Sequence, residues 1–154
     1  MKMHFPADFL DLLIELNRAN TKYLLVGGHA VAFHGRPRAT KDFDLWIEAS
    51  PENARRVIRA LDSFGAPLGQ VTAADFERPG HGFRIGSPPF RIELLTEISG
   101  VSFDQAWSAR LSCTVDNVAF NVISREDLLK NKKAAGRPQD LADVDVLERQ
   151  TKQR

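Results

Sequence analysis

Residues 23–48 constrain the fold of this chain more than any other segment. They open with a short apolar run, Tyr23–Val26, which is typical of a buried β-strand. Gly27 and Gly28 end this run, and the HAVAF sequence after them predicts one or two helical turns. Residues 42–48 then alternate charged and apolar side chains, which predicts a second strand with one polar face. This succession of strand, glycine turn, short helix and strand indicates an α/β architecture.

Five further segments predict helices. Apolar side chains recur at helical spacing over about residues 6–19. Ser50 followed by Pro51 is a typical helix start, and we expect that helix to run to about Ser63. The remaining helices are predicted at residues 103–111, from the capping residue Ser124 to Gly136, and at 139–150.

The rest of the sheet is predicted from three shorter segments. Residues 90–98 and 118–123 are strand candidates, and a short strand at Phe83–Ile85 lies within a region rich in glycine and proline. The predicted fold is α/β (α+β), with a small mixed β-sheet flanked by helices. We expect a single domain of residues 1–154, with a C-terminal helical segment at about 124–150.

Composition narrows the class of protein. The 154 residues include 21 Lys and Arg against 20 Asp and Glu, and this near balance argues against a strongly basic nucleic-acid binder. The single Cys113 cannot form an intramolecular disulfide, which is typical of a reducing cytoplasm, and it excludes a cysteine-rich zinc module. Acidic residues interrupt the apolar pattern near the N-terminus, so no signal peptide or membrane span is predicted there. We therefore expect a cytoplasmic protein without a membrane partner.

Asp42 and Asp44 are the strongest candidates for a chemical role. They lie two residues apart on a predicted strand, so both carboxylates leave the same face, roughly 6–7 Å apart. Two carboxylates at this distance repel each other unless a cation lies between them. A D-x-D pair also occurs on the solvated face of ordinary edge strands, so the pair alone does not decide between these two interpretations.

The glycine turn lies just before this pair in the chain. Gly27 and Gly28 close one strand and open a helix, which leaves backbone N–H groups free at the positive end of that helix. Without side chains, these positions would let a phosphate group approach the backbone closely. An ordinary strand-to-helix turn also favours glycine. Because consecutive strands usually neighbour each other, we expect the turn and the aspartate pair to share one end of a sheet.

A third carboxylate is expected where two Mg²⁺ ions activate a hydroxyl and hold a triphosphate. Glu93 is the best candidate, because it lies between Ile92 and Leu94 in an alternating strand. If this strand neighbours the one that carries Asp42, the Glu93 carboxylate could converge on the same metal. An exposed strand residue explains the pattern equally well, and Glu97 is a weaker competitor farther along the same face.

Two stretches of the sequence resemble a known superfamily. LVGGHAVAFHGRPRATKDFDLWIE, residues 25–48, resembles the nucleotidyltransferase superfamily that includes DNA polymerase beta and the minimal nucleotidyltransferases. REDLLKNKKAAGRPQDLADVDVLE, residues 125–148, is similar to bacterial nucleotidyltransferases grouped with the AbiEii-type toxins. The resemblance covers about residues 22–148, and the pairing of two glycines with D-x-D is its more specific part.

The resemblance implies an enzyme that moves a nucleoside monophosphate from a nucleoside triphosphate, such as ATP, to an acceptor hydroxyl. Gly27 and Gly28 would contact the triphosphate. Asp42 and Asp44 would ligate two Mg²⁺ ions, with Mn²⁺ as an alternative metal. Glu93 would complete the metal site as a base or a ligand. Many members carry aspartate at the third position, and glutamate reaches about one methylene farther, which changes the ligand geometry.

The resemblance also assigns roles outside the carboxylates. Arg38 and Thr40 match an R-x-T pattern before the D-x-D; Arg38 would pair with a phosphate, whereas Thr40 would contact the substrate or only shape the loop. Lys132 would neutralise the triphosphate as a point charge. A solvated surface lysine in the KNKK run is the alternative for Lys132. Arg137 and Asp140 would pair with each other or position Lys132.

The acceptor and the biological role are left open at this stage. Relatives use RNA such as a tRNA end, a protein side chain or a small molecule as acceptors, and a toxin with an antitoxin partner fits this subgroup. The alternative from another class is a degenerate member that binds a nucleotide or a partner protein without turnover. Two aspartates together with two glycines favour the enzyme. An RNA-binding module is less favoured, because no stacking aromatic residues accompany the basic cluster at 36–41.

Overall fold

Six strands form one mixed β-sheet in the computed structural model, which describes residues 4–35, 40, 42–69, 71–86 and 89–152. The strands are β1 Tyr23–Val26, β2 Asp42–Ile47, β3 Gly82–Ile85, β4 Arg91–Leu95, β5 Leu111–Val115 and β6 Val118–Val122. Their order across the sheet is β3-β4-β2-β1-β6-β5. Strand β1 runs antiparallel to β2 and parallel to β6, while β2 runs parallel to β4. The predicted α/β fold with a mixed sheet is confirmed.

Helices flank this sheet, as predicted. They are α1 Ala7–Arg18, α2 Gly27–Phe33, α3 Pro51–Phe64, α4 Phe103–Ser108, α5 Arg125–Ala135 and α6 Pro138–Lys152. Helix α1 packs against α3, and each buries an apolar stripe in the common core. No helix within the described part of the chain is long and apolar enough to cross a membrane.

The two faces of β2 differ as its alternating sequence predicts. Phe43 and Leu45 are fully buried on one face, where Phe9 of α1 stacks on Phe43 with ring centroids 4.4 Å apart. Asp42 and Asp44 are only partly buried on the other face. The apolar face therefore fixes the strand in the core, and this fixes the direction in which the two carboxylates point.

The predicted ends of several helices are confirmed by their caps. The Ser50 and Ser124 side chains accept hydrogen bonds from the backbone N–H groups of Asn53 and Asp127, so each satisfies a donor that the first helical turn leaves unpaired. Gly136 ends α5 in the left-handed conformation, with φ of 66°. Gly136 therefore fixes where α5 ends, two residues before α6 begins at Pro138, which matters for the site described below.

The prediction of a helix over residues 103–111 is wrong at its C-terminal end. Helix α4 ends at Ser108, and Leu111 begins β5, a strand that the sequence did not predict. Leu111 lies four residues after Trp107, a spacing that imitates a helix, and β5 is a half-exposed edge strand without a strong apolar run. The β5–β6 hairpin turns at Asp116 and Asn117, whose φ angles of 49° and 65° are typical of a type I′ turn.

Two smaller differences lie in the region that separates β2 from α4. The strand expected at residues 90–98 is shorter, because β4 ends at Leu95. A 3-10 helix at Ala73–Phe76 was not predicted, although the Thr72 and Asp75 side chains form a capping box there. Its last residue, Phe76, is fully buried, so this turn closes one side of the core.

Candidate active site

The candidate catalytic carboxylates lie on two neighbouring strands, Asp42 and Asp44 on β2 and Glu93 on β4. Val26 of β1 is opposite Asp44 of β2, and Asp44 is opposite Glu93 of β4. Arg84 of the edge strand β3 is in turn opposite Glu93. Residues that are direct partners in a sheet share one face, so Asp44 and Glu93 are neighbours on the face that also carries Asp42. The structure therefore places the three carboxylates that the sequence singled out on one face of the sheet.

Gly27 is required by the position of the Asp44 side chain. Its φ is +69°, and a Cβ placed on it would lie 2.2 Å from Asp44 Oδ2. No side chain fits at that distance, so only glycine leaves the carboxylate where it is. Gly28 follows inside α2 and is buried. The expected contacts of these glycines with a triphosphate stay a prediction, whereas the contact of Gly27 with Asp44 is a role that the sequence did not indicate.

Asp44 carries an unfavourable negative charge. Burial and the charges of Glu93 and Asp42 raise its pKa to about 6, against the opposing charges of Lys132 and Arg137. The carboxylates therefore repel one another, and the two cationic side chains only partly offset this. A cation bound between the carboxylates would relieve this repulsion.

Two arginines on neighbouring strands engage the outer carboxylates. Arg91 Nε lies 3.3 Å from Asp42 Oδ1, and Arg84 Nε lies 3.7 Å from Glu93 Oε2. These ion pairs are partly exposed. Within the described ranges, no three Asp, Glu, His or Cys side chains converge closely enough to hold a metal ion as they stand. A metal ion at this site would therefore compete with the two arginines for the Asp42 and Glu93 carboxylates.

An open cleft of about 370 Å³ lies beside Asp44, between the end of β4 and the end of α5. Gly27, Asp44, Lys132 and Arg137 all line it. The cleft therefore combines two cationic side chains with a carboxylate that their charges reach, which is the distribution of charge that a metal–triphosphate complex would match. The volume lies within the range of small-molecule sites.

Lys132 belongs to a buried network of charges, and its interpretation as a solvated surface lysine is wrong. The residue is 5% exposed, and Nζ lies 3.1 Å from Asp140 Oδ1 and 3.3 Å from Asp143 Oδ2. Arg137 Nε donates to Asp140 Oδ2 at 2.7 Å. Burial alone would raise the pKa of Asp140, but hydrogen bonds and charges from Arg137 and Lys132 outweigh it and lower that pKa. Asp140 both pairs with Arg137 and positions Lys132, as the sequence suggested.

The R-x-T segment before β2 is described only in part. Arg38 lies outside the described residues, so its expected contact with a phosphate stays a prediction. The Thr40 hydroxyl donates to the backbone carbonyl of Asp42 at 3.3 Å. This bond ties the loop to the start of β2, which fits the loop-shaping role for Thr40.

Three residues of the site were missed from the sequence alone. Asp143 lies three residues after Asp140, a helical spacing that puts both on one face of α6 and that could have revealed it. No sequence spacing of this kind indicates Arg84 or Arg91. Their partners depend on which strands neighbour β4, and that pairing is a property of the whole sheet.

Comparison with known protein families gives a match over most of the chain. Residues 7–149 match the family described as "Nucleotidyltransferase of unknown function (DUF6036)". The match spans every element that forms the site, from β1 to α6. No curated protein sequence matches the chain significantly.

Two solved structures share the fold. The protein TM1012 from Thermotoga maritima, described as a nucleotidyltransferase, superposes with a TM-score of 0.58 at 13% identity, covering 95% of this chain and 91% of its own. The lincosamide antibiotic adenylyltransferase LnuA in its lincomycin-bound form superposes with a TM-score of 0.58 at 15% identity, covering 94% of this chain and 96% of its own. At these identities the likeness concerns the fold alone.

Proposed function

The chain belongs to the DUF6036 family of nucleotidyltransferases, and from this premise we propose that it transfers a nucleoside monophosphate from a nucleoside triphosphate to an acceptor hydroxyl. In this reaction the acceptor oxygen bonds to the α-phosphorus, the bond from that phosphorus to the bridging oxygen breaks, and pyrophosphate leaves. The hydroxyl proton passes to a base or to water. The family assignment favours this enzyme over a binding module without turnover.

The observation that carries the proposal is the charge distribution around Asp44. Three carboxylates lie on one face of the sheet, and the pKa of the middle one, Asp44, is raised to about 6. Lys132 and Arg137 line the same cleft, and their charges act on Asp44. A triphosphate would neutralise Lys132 and Arg137 while its counter-cation neutralised the carboxylates, whereas a neutral ligand would neutralise neither group of charges.

Each group at the cleft has a distinct proposed task. Lys132 and Arg137 would bind the non-bridging oxygens of the triphosphate, and the burial of Lys132 between two aspartates keeps its Nζ in place. The backbone N–H groups at Gly27 and Gly28 would complete the phosphate site. Glu93 would hold the acceptor hydroxyl or receive its proton.

The donor set fits Mg²⁺, or Mn²⁺ in its place. Asp42, Asp44 and Glu93 offer only carboxylate oxygens, the ligands that these hard cations prefer, and Mg²⁺ usually takes one or two carboxylates together with phosphate oxygens. The bound metal would lower the pKa of the acceptor hydroxyl and stabilise the leaving pyrophosphate. Two such ions are proposed by analogy with the superfamily.

The test is titration of ATP, CTP, GTP and UTP into the protein with and without Mg²⁺. We expect binding that depends on Mg²⁺ and that is lost in the double variant Asp42→Asn/Asp44→Asn. The matched control is Asp62→Asn, an exposed residue on α3, which should bind like the parent. A well-folded parent that binds no triphosphate would overturn the proposal.

The acceptor and the biological role are further parts of the proposal. RNA, a protein side chain or a small molecule would each offer a suitable hydroxyl, and a lincosamide is the acceptor class named for LnuA. A toxin held in check by an antitoxin is the role proposed from the resemblance. Induced expression would then arrest growth with the parent but not with Asp44→Asn, and equal growth with both would contradict the toxin role.

A further inference from the structure

Strand β5 ends the sheet on the side away from β4, and no strand within the described residues pairs with its outer edge. The two-residue turn between β5 and β6 makes the flanking Val115 and Val118 a hydrogen-bonded pair. Val115 and every second residue before it therefore exchange backbone hydrogen bonds with β6. The N–H and C=O groups of Ser112 and Thr114 consequently point outward, where they can bond to an added strand.

The sequence of β5 does not protect this open edge. Natural sheets usually protect an edge with a charged residue, a proline or a bulge. The opposite edge strand, β3, carries the charged Arg84. Strand β5 has the sequence LSCTV, which contains no charge and no proline, and its register with β6 is unbroken. Leu111 is 43% exposed on the face that it shares with Cys113 and Val115, so the apolar face of β5 is left partly uncovered.

Two opposite charges flank β5. Arg110 precedes the strand and Asp116 follows it, and both residues are exposed. Neither forms an ion pair with another residue in the described ranges. One N–H of Arg110 donates to the carbonyl of Trp107 at 2.8 Å, and the guanidinium lies 3.8 Å from the centroid of the Trp107 ring. These contacts hold the guanidinium at the start of the strand, and further N–H donors remain for a carboxylate.

We propose that β5 pairs antiparallel with β5 of a second copy of this chain, about a two-fold axis at Cys113. Each Cys113 then lies opposite its counterpart, and Arg110 of each copy lies opposite Asp116 of the other. The long arginine side chain reaches a carboxylate at the start of the turn. Opposite charges therefore meet at both ends of one short, self-complementary contact.

The residues between the two ends also match in this register. Leu111 lies opposite Val115 of the second copy, so each copy extends the apolar face of the other. Ser112 lies opposite Thr114, and their outward backbone groups form a hydrogen-bonded pair. Moving the axis to Ser112 or to Thr114 would separate Arg110 from Asp116. The flanking charges therefore select the axis at Cys113.

The contact leaves both candidate active sites apart from the interface. Strands β1 and β6 separate β5 from β2, which carries Asp42 and Asp44. The inference therefore does not depend on the proposed transfer function, and either can fail without the other. Because only five residues on each side form strand pairs, the interface is at the small end of specific contacts, and the dimer should dissociate on dilution.

The first experiment is sedimentation velocity of the parent over a series from micromolar to millimolar concentration. We expect reversible dimerisation of the parent. Arg110→Glu and Asp116→Lys each place like charges opposite each other, so each variant alone should associate about tenfold more weakly or worse. An equimolar mixture of the two restores opposite charges at both ends and should form a heterodimer. The control Arg59→Glu reverses a charge at an exposed position of α3 and should associate like the parent.

The second experiment uses Cys113 as a probe of the axis. Opposed residues without mutual hydrogen bonds have Cα atoms about 4.5 Å apart, which a disulfide can span. Diamide accepts the two electrons and two protons that the two thiols lose, and it should link the parent into a covalent dimer through Cys113. Arg110→Glu, which leaves the turn unchanged, should slow this linkage about tenfold, whereas Arg59→Glu should not.

The results separate this register from other kinds of association. Dimerisation of the mixture by variants that each remain monomeric supports the proposal, as does linkage that Arg110→Glu slows. A parent that stays monomeric at every concentration overturns it. Association or linkage that Arg110→Glu weakens no more than Arg59→Glu also overturns it, because the contact would then lie elsewhere. Circular dichroism of each variant confirms that it is folded, and the linkage assay needs no substitution in the turn.

Discussion

At the residue scale, the site depends on one close approach between backbone and side chain. Gly27 gives Asp44 the space beside the end of β1, and a Cβ at this glycine would lie 2.2 Å from the carboxylate. The same glycine has a positive φ, so two separate requirements select for it. The conformation of one residue therefore determines where the central carboxylate of the site can lie.

We predict that Gly27→Ala abolishes Mg²⁺-dependent triphosphate binding. The positive φ alone should cost about 1–2 kcal/mol of stability, and the clash should also displace Asp44. The control is Gly69→Ala, because Gly69 has a φ of +50° and no atom within 4 Å of its added Cβ. Calorimetry of nucleotide binding and thermal unfolding of both variants check this. Nucleotide binding retained by Gly27→Ala would contradict it.

A second prediction at this scale concerns the adjacent lysines of α5. Lys132→Met removes a positive charge that offsets the negative charges of the buried Asp140 and Asp143. We therefore expect a loss of about 3–5 kcal/mol in the free energy of unfolding. Lys133 pairs with Glu148 at 2.6 Å, but both side chains are about half exposed. Lys133→Met should therefore cost only about 0–1 kcal/mol. Urea denaturation of both variants measures the difference, and equal losses would contradict the importance of burial.

Only those residues of the site that a local sequence pattern indicates could be predicted. The alternation on β2 predicted that Asp42 and Asp44 share a face, and the alternation on β4 made Glu93 the third carboxylate. That Glu93 lies directly opposite Asp44 depends on a parallel pairing that no local pattern encodes. The ion pair of Arg91 with Asp42 depends on that same pairing, and the ion pair of Arg84 with Glu93 depends on the antiparallel pairing of β3 with β4, so sequence reasoning could not find them.

At the element scale, a histidine adds a hydrogen bond to the packing that holds α2 against the sheet. His34 lies at the end of α2, and its Nε2 is 2.7 Å from the carbonyl oxygen of Ile123, just after β6. Burial lowers the pKa of His34, and the nearby charge of Arg125 lowers it further, against the opposing effect of the Ile123 bond. In the neutral ring Nε2–H donates to this carbonyl, so the histidine joins the catalytic side of the sheet to β6.

We therefore predict that acid lowers the stability of the folded chain in part because His34 becomes protonated. Because its folded pKa is below the unfolded value, the unfolded chain binds more protons as the pH falls below about 6.5. The contribution of neutral His34 is complete above that pH and is lost as the pH falls through the folded pKa. Thermal unfolding between pH 8 and pH 5 should show a smaller decrease for His34→Gln than for the parent. Parallel decreases would contradict this assignment.

The elements themselves could be predicted wherever apolar spacing and caps agreed. Ser50 and Ser124 start helices, and Gly136 ends one, because short polar side chains and positive φ angles are local requirements. The strand β5 was missed because its local signals are weak and misleading. An edge strand buries little, so its sequence carries a weak pattern, and the Trp107-to-Leu111 spacing gave a false helical signal. Among the strands that the structure describes, β6 alone pairs with residues 111–115.

At the scale of the whole molecule, α6 connects distant parts of the chain. Leu147 is fully buried in the common core, and the Gln150 side chain donates to the carbonyl of Gly35 at 2.6 Å. Arg125 also donates to the carbonyl of Leu147. These contacts tie the C-terminal helices to α2 and to the sheet. They fit the expected single domain, which stays a prediction.

We predict that the chain unfolds in one cooperative transition. If residues 124–150 belong to the same unit as the sheet, far-ultraviolet circular dichroism and the fluorescence of Trp46 should report the same midpoint in urea. The Trp107→Phe variant isolates the signal of Trp46, which is buried in the sheet. A helical signal that decreases at lower urea than the Trp46 signal would show a separate C-terminal unit.

The position of β1 in the sheet has a consequence for how the chain acquires its site during synthesis. Leu25 pairs with Val122, so the middle of the sheet is completed by a strand from the far end of the sequence. Such non-local pairings slow folding, because a long loop must close before its contacts can form. Lys132 follows β6 on α5, and a nascent chain therefore lacks the cleft beside Asp44 until most of the protein has left the ribosome. Catalytic competence should thus arise late and abruptly, which delays activity until the domain is complete.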